Sequence, residues 1–484
     1  MDLRLVAYFL GEISLACGAV LLWPFGLSLF YAETSQTAFL LSIISCMILG
    51  VLLWKGGRQT ADSLSVREGI AVTGLGWLLV TFLGMLPYVF GGYLGFLDGA
   101  FESISGFTGT GATVIDQLEQ LPESILLWRS LTHWLGGLGI IVIFIAVLPQ
   151  IGHSAVYMYN AEISGPAPER VLPRLKEMAS VLFTMYVLFT SVAAVVYLLC
   201  GMELLDALNH AFSTIATGGF STYDTNAIHF DNVLIEGWMT FFMVLSGGNF
   251  GLYYRVYQRG FSVLLRNTEF KAYLGILLTA TGLIMLNLMY NLGYEPAQSL
   301  RYASFQVASI ATTGFVSADF DAWPNFSKAV LLLLMFTGGC AGSTAGGIKI
   351  SRIVLLVKMA GVSLWQQLHP HAMAEVRMNG VHIAEETLHR AAQFFFVYMM
   401  FVAFWAMLLM SEGELTMFDA IGLSVTTMGS VGPGFGVAGA TCTYSGLSDF
   451  TKTVLCLSML LGRLEMFTFL VMLRPAFWRR QKGW

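Results

Sequence analysis

Charge is what this sequence has least of. Only 11 % of its 484 residues are Asp, Glu, Lys or Arg, against about a quarter in an ordinary soluble domain, and that scarcity excludes a conventional water-soluble fold. Cysteine is sparse as well. Its six copies, Cys17, Cys46, Cys200, Cys340, Cys442 and Cys456, are scattered mostly through apolar stretches without a CxxC pair, which leaves no disulfide framework or thiolate metal site. No glycine-rich nucleotide-binding fingerprint occurs. His369 and His371 lie close together, but a lone HxH in a polar segment is a solvated pair and receives no role. What is present is apolar: 56 % hydrophobic residues and a mean hydropathy of +0.70 make the chain a polytopic membrane protein.

Ten stretches are long enough for roughly 20 residues across about 30 Å of hydrocarbon: 6–31, 37–54, 69–90, 128–150, 177–201, 233–256, 269–291, 328–358, 388–410 and 450–474. The first carries Glu12 and is followed by no small-residue cleavage site, so it is expected to be a retained span and not a signal peptide. Orientation follows from Lys and Arg, which stay on the cytoplasmic side. With the N-terminus inside, only Arg301, Lys328 and Lys452 of the 25 basic residues fall outside, while Arg129 and Arg463 lie within or at the edge of spans. The outer segments are acidic, with Asp98, Glu102, Asp116, Glu119 and Glu123 in the first of them. Such a mouth would concentrate cations, although anionic residues also collect wherever positive ones are excluded.

Four short strings break the apolar pattern: Gly109-Thr110-Gly111-Ala112, Thr217-Gly218-Gly219-Phe220, Ala311-Thr312-Thr313-Gly314-Phe315 and Ser430-Val431-Gly432-Pro433. Each follows an apolar stretch and a short amphipathic one, and each precedes another apolar stretch. Asp98, Asp206 and Asp419 stand thirteen positions before Gly111, Gly219 and Gly432, and Arg301 holds that place before Gly314. The intervening segments suit half-membrane helices of about ten residues, which enter from outside, stop at mid-depth and return extended. Irregular backbone at that depth is tolerated only where protein buries it or water reaches it.

Each unit contains two crossings and a re-entrant loop, so it begins and ends on the same side, and successive units are parallel. Inverted repeats would need an odd number of crossings. The expected fold is therefore an all-α polytopic membrane protein with four parallel span–pore loop–span repeats, arranged in pseudo-fourfold symmetry around one pore. Two N-terminal transmembrane helices, 1–68, are peripheral; the repeats are 69–165, 166–262, 263–375 (with an intramembrane loop) and 376–484.

Glycine at each turning point lets the chain run extended with its carbonyls inward, replacing an ion's hydration shell. Carbonyl oxygens suit hard cations, nearby Thr and Ser can add hydroxyls, and the half-helices aim the negative ends of their dipoles into the pore. One glycine per copy implies few stacked sites and a moderate preference for potassium over sodium. Below the third string, residues 338–347 (Gly338-Gly339-Cys340-Ala341-Gly342-Ser343-Thr344-Ala345-Gly346-Gly347) are too helix-poor to continue a helix. They are expected to unwind into a gating loop; the alternative is a close-packed helical interface. Ser246-Gly247-Gly248-Asn249 is a milder version and a candidate hinge. Arg463, midway along the last span, must face the pore or an internal partner. In the pore it would raise the barrier to a cation; Glu465, two positions on, lies across the helix from it.

Three strings resemble the bacterial TrkH/TrkG potassium-uptake family, in the superfamily that also holds KtrB and the plant HKT transporters. They are Arg129-Ser130-Leu131-Thr132-His133-Trp134-Leu135-Gly136-Gly137-Leu138-Gly139, the small-residue string running into Ile348-Lys349-Ile350, and Leu461-Gly462-Arg463-Leu464-Glu465-Met466-Phe467 ending at Pro475-Ala476-Phe477-Trp478. The resemblance covers essentially the whole chain. It implies potassium uptake across the bacterial inner membrane by a homodimer, each protomer with its own pore and both termini cytoplasmic. Gly111, Gly219, Gly314 and Gly432, with the carbonyls of Thr110, Gly218, Thr313 and Val431, would line the filter. Gly338, Gly339, Gly342, Gly346 and Gly347 would belong to the gating loop, and Arg463 to the barrier. A cytosolic TrkA-like ring that binds NAD or ATP/ADP would dock on the basic inner face; no nucleic acid is expected. Gly109 departs from the family, where threonine is common, and could alter selectivity. Sodium- or proton-coupled symport through the same pore is the alternative function. An intramembrane enzyme using His133, His210 or Glu12 is disfavoured, because these residues fall in different segments without a nucleophile or metal pattern.

Overall fold

In the computed structural model, which describes residues 1–57, 65–137, 139, 174–369, 375–464 and 466–478, the four amphipathic segments form short helices. These pore helices are Phe96–Thr108, Leu204–Ile215, Pro296–Thr312 and Met417–Gly429. At 1.5 Å per residue they reach about 18–26 Å, too short to cross a bilayer. Asp98, Asp206 and Asp419 occupy the first turn of their helices, where a carboxylate complements the positive end of the dipole. The third helix begins a turn earlier, at Pro296, so Arg301 sits beyond that first turn and a basic residue is tolerated at the equivalent position.

Each pore helix packs against the first span of its own repeat and against the second span of the repeat before it. Phe96–Thr108 lies on Asp449–Arg463, Leu204–Ile215 on Glu123–Gly137, Pro296–Thr312 on Val233–Ser246, and Met417–Gly429 on Asn325–Thr337. The fourth repeat therefore closes onto the first, and the four parallel units form a ring. The N-terminal helices Leu3–Val20 and Gln36–Gly56 pack on each other and chiefly on the first repeat, so they are peripheral. Their crossing is close because a Cβ at Gly11 would meet the Trp54 backbone. Large apolar side chains such as Leu278, Leu286, Phe396 and Met407 face outward, as lipid-facing residues do.

Among the described residues six helices are long and apolar enough to cross a membrane: Leu3–Phe30, Gln36–Gly56, Arg67–Phe90, Ala179–Leu199, Thr268–Leu292 and Glu385–Glu412. The candidate spans 233–256, 328–358 and 450–474 are each interrupted, the first at the expected hinge and the second at the expected loop, while the break in the third was not expected. Val233–Ser246 turns by 90° into Phe250–Arg259, because Gly247-Gly248 lets the chain turn and Asn249 caps a new helix by accepting from Leu252 N. Asn325–Thr337 stops at Gly338, whose φ of +63° is unsuited to a helix, and the chain becomes helical again only at Ile350. In the fourth repeat a helix ends at Arg463 and another begins at Met466; Glu465 lies outside the described residues. So does most of the expected span 128–150, of which Glu123–Gly137 is the described helix.

Candidate functional site

The four pore helices end where the four glycine strings begin, and each string turns on a glycine with positive φ: Gly111 at +81°, Gly219 at +83°, Gly314 at +95° and Gly432 at +97°. Only glycine adopts that region freely. Each glycine also abuts the next repeat. A Cβ on Gly111 would run into the Gly218 carbonyl oxygen, one on Gly219 into that of Thr313, one on Gly314 into that of Val431, and one on Gly432 into that of Thr110. The cycle closes: each repeat's glycine lies on the carbonyl that precedes the next repeat's glycine. All eight residues named from sequence as filter residues are thus brought together.

Those four carbonyls have a second shared property. Thr110, Gly218, Thr313 and Val431 are buried, and among the described residues none of their carbonyl oxygens accepts a hydrogen bond. Buried backbone carbonyls are nearly always paired with protein, water or a ligand. Two of the four carbonyls one position on are claimed: Gly432 O accepts from Tyr444 Oη at 2.6 Å and Gly219 O from Asn226 Nδ2 at 3.3 Å. Four unclaimed oxygens in such a closed cycle can ligate a hard cation and repel an anion. The hydroxyls of Thr110 and Thr313 instead face neighbouring hydroxyls, Thr108 at 2.8 Å and Thr312 at 3.0 Å.

The ring is not perfectly fourfold. Two positions before the glycine, Gly109, Thr217 and Ser430 are left-handed at +69°, +55° and +53°, whereas Thr312 is the last residue of its helix. In copies one, two and four the residue before the glycine donates its N–H back five positions, to Ser105, Ser213 and Thr426. In copy three Thr313 and Gly314 both donate to Ser309, so the helix runs further toward the ring. Gly109 therefore occupies a site whose backbone is left-handed in two other copies without glycine. Its local effect is to relieve strain.

Beneath the ring, residues 338–349 contain no helix, and Gly338, Gly342, Gly347 and Lys349 all have positive φ. The loop is fastened on several sides. Cys340 N donates to Gly247 O at 2.8 Å, Ala341 N to Glu269 Oε1 at 2.6 Å, and Thr344 Oγ1 to Ile215 O at 3.0 Å and lies 3.1 Å from Thr217 Oγ1. Gly339 lies against Gly247 O, and Gly346 against Gly429 O and Ser430. The loop thus runs under the ring from the second repeat to the fourth. Arg463 reaches it from the last repeat: Nη1 donates to Thr344 O at 3.0 Å, and Nη2 donates to Gly137 O at 3.0 Å and to Gly136 O. The cation therefore ties the loop to the end of the first repeat's second helix.

The outer acids do not form a uniform free mouth. Asp98 pairs with Lys452 at 2.8 Å. Asp206 accepts from Tyr223 Oη at 2.6 Å and Thr222 Oγ1 at 2.7 Å, and Asp419 joins a capping box with Thr416. Burial, and then the bond to Asp206, hold the Tyr223 phenol above its usual range, so it remains a donor. Arg301 pairs with Glu236 at 2.7 Å and Asp231 at 2.8 Å. His210 bonds Asp206 O and Ser221 Oγ, while His133 stacks on Phe220; Glu12 belongs to the first N-terminal helix. His369 stacks on Trp365, and His371 lies outside the described residues. Sequence reasoning missed Asn226, Tyr444 and Glu269. A carboxylate at the head of an apolar stretch, as Glu269 is, was the one available signal.

Residues 35–480 match a family model described as TrkH, cation transport protein. The chain is 36 % identical to the Trk system potassium uptake protein TrkH of Salmonella typhimurium, over 99 % of this chain and 100 % of that protein. It is 33 % identical to Trk system potassium uptake protein TrkG of Escherichia coli, over 98 % of this chain and 99 % of that one. Its fold resembles the crystal structure of the potassium transporter TrkH from Vibrio parahaemolyticus with a TM-score of 0.89 and 32 % identity, covering 99 % and 100 % of the two chains.

Proposed function

The chain belongs to the TrkH family of cation transport proteins, and on that footing we propose that it takes up potassium through a gated, channel-like pore across the bacterial inner membrane. It is an integral membrane transport protein and not an enzyme. The observation that carries the proposal is the closed cycle in which Gly111, Gly219, Gly314 and Gly432 each abut a buried, unclaimed carbonyl of the next repeat. Potassium, as the transported ion, would exchange part of its water shell for the carbonyls of Thr110, Gly218, Thr313 and Val431. A single complete ring is a short filter, and selection between potassium and sodium is correspondingly moderate.

Control lies below the filter in this proposal. The loop containing Gly338, Gly339, Gly342, Gly346 and Gly347 obstructs the path, and Arg463, anchored on Thr344 O and Gly137 O, places positive charge where a cation must pass. Movement of the loop toward the second repeat's bend at Gly247-Gly248 opens the path. A cytosolic TrkA-like ring that binds NAD or ATP/ADP supplies the nucleotide control, and two protomers assemble with separate pores. The functional units are residues 69–165, 166–262, 263–375 and 376–484, with 1–68 peripheral. Both termini are cytoplasmic. The test is flux from purified protein in liposomes with potassium, rubidium and sodium compared. Passive currents reversing near the potassium equilibrium potential support a channel; uptake that requires a sodium or proton gradient replaces it with symport.

A further inference from the structure

The four seams of the ring are closed by different chemistry. Between repeats two and three, Asn226 donates to Gly219 O at 3.3 Å and accepts from Val316 N at 3.2 Å. Between four and one, Tyr444 donates through its hydroxyl to Gly432 O and through its N–H to Thr113 O at 2.8 Å. Between three and four, Asp321 accepts from Gly436 N at 3.0 Å. At the seam between one and two, repeat one presents an ion pair of its own, the only one among the described residues with both side chains closed to solvent: Arg129 Nε lies 2.8 Å from Glu102 Oε1, with exposures of 2 % and 0 %, and Arg129 reaches across to Ser221 O and Phe220 of repeat two.

The pair grips both filter strands just past their glycines. Glu102 accepts from Thr113 Oγ1 at 3.0 Å and Val114 N at 3.1 Å, two and three residues after Gly111. Arg129 donates to Ser221 O at 3.0 Å and to Thr113 Oγ1 at 3.3 Å, and its guanidinium lies 4.1 Å over the Phe220 ring. Phe220 and Ser221 follow Gly219 directly. A planar fork held in this way fixes spacing and not merely charge balance. A carbonyl ring propped at fixed width cannot contract onto the smaller sodium ion without strain, whereas a loosened one can.

We propose that Arg129 and Glu102 are positioning residues for the filter, setting the distance between the Gly111 and Gly219 strands and hence the discrimination between potassium and sodium. The proposal rests on the filter assignment above. Its test uses full-length protein in liposomes, with potassium on one side and sodium on the other, and reads the permeability ratio. Arg129→Lys keeps the charge opposite Glu102 but loses the fork; Thr113→Val keeps both charges and removes the bridging hydroxyl. Both are expected to lower the potassium-to-sodium ratio about three- to tenfold, as expected for losing hydrogen bonds to charged groups, with the double Glu102→Gln/Arg129→Gln variant no more selective than either. A role in stability alone would reduce the yield of folded protein and leave the ratio at the wild-type value. If Arg129→Lys does not fold, Thr113→Val decides. An unchanged ratio in the folded variants, in a preparation where Gly219→Ser lowers it, overturns the proposal. An unchanged ratio in Gly219→Ser overturns the filter assignment and this inference with it.

Discussion

The ring and the loop beneath it are both glycine-rich and both irregular, yet the repeated contact differs from the unrepeated ones. In the ring, backbone meets backbone: four glycines of matching φ lie on four carbonyls, and the arrangement recurs in every repeat. In the loop, the anchors differ and several are side chains: Glu269 of its own repeat, Thr344 on the second repeat, and Arg463 from the fourth. Steric contact between backbones cannot be released without moving a repeat. A few hydrogen bonds made by side chains can be released singly. The symmetric part is thus suited to selecting an ion, and the part present in one copy is suited to controlling its passage.

Variants can break this division. The largest effect is expected from Gly219→Ser, which forces a side chain into a left-handed position against Thr313 O. The potassium-to-sodium permeability ratio should fall toward one, measured as a bi-ionic reversal potential; an unaltered ratio counts against selection by the ring. Next is Arg463→Ala. A fixed charge about 10 Å from a monovalent cation repels it by roughly 1.7 kcal/mol at an effective dielectric constant of about 20, so potassium flux without a regulatory partner should rise on the order of tenfold. The ratio should not move. Equal or lower flux in well-folded protein contradicts the barrier role.

Smaller effects sharpen the same contrast. Glu269→Gln weakens a charge-assisted bond to Ala341 N and should raise flux by about two- to fivefold, at constant ratio, because such bonds contribute more than neutral ones. Radioactive rubidium uptake into liposomes would measure it. The smallest is expected for Gly109→Thr. Threonine already occupies the equivalent left-handed position at Thr217, so the variant should lose about 1 kcal/mol of stability and keep its selectivity. A large change in the ratio would return Gly109 to the selectivity determinants.

Much of this division was legible in the sequence. The glycines of the ring stand out because the same string recurs at matched offsets, and a half-length amphipathic stretch before each one fixes the short pore helices. Residues 338–347 are conspicuous because ten small residues cannot sustain a helix. Contacts between repeats were not legible. Lys452 and Asp98 are 354 positions apart, and nothing in local spacing pairs them or brings Arg463 to Gly137. The left-handed residue before the filter was hidden too, since Gly109, Thr217 and Ser430 share a backbone conformation and not a residue type. The breaks in the second spans at Gly247 and Arg463 were only partly visible, because hydropathy continues across them.

The most direct test is the reversal potential of currents through purified full-length protein with potassium on one side of the bilayer and sodium on the other, recorded for wild type, Arg463→Ala and Gly219→Ser. Selection by the ring and control by the loop predict a value displaced toward the potassium equilibrium potential in the first two alike, with larger currents in Arg463→Ala, and a collapse toward zero in Gly219→Ser. A reversal potential that shifts in Arg463→Ala, or that stays in place in Gly219→Ser, would contradict that division.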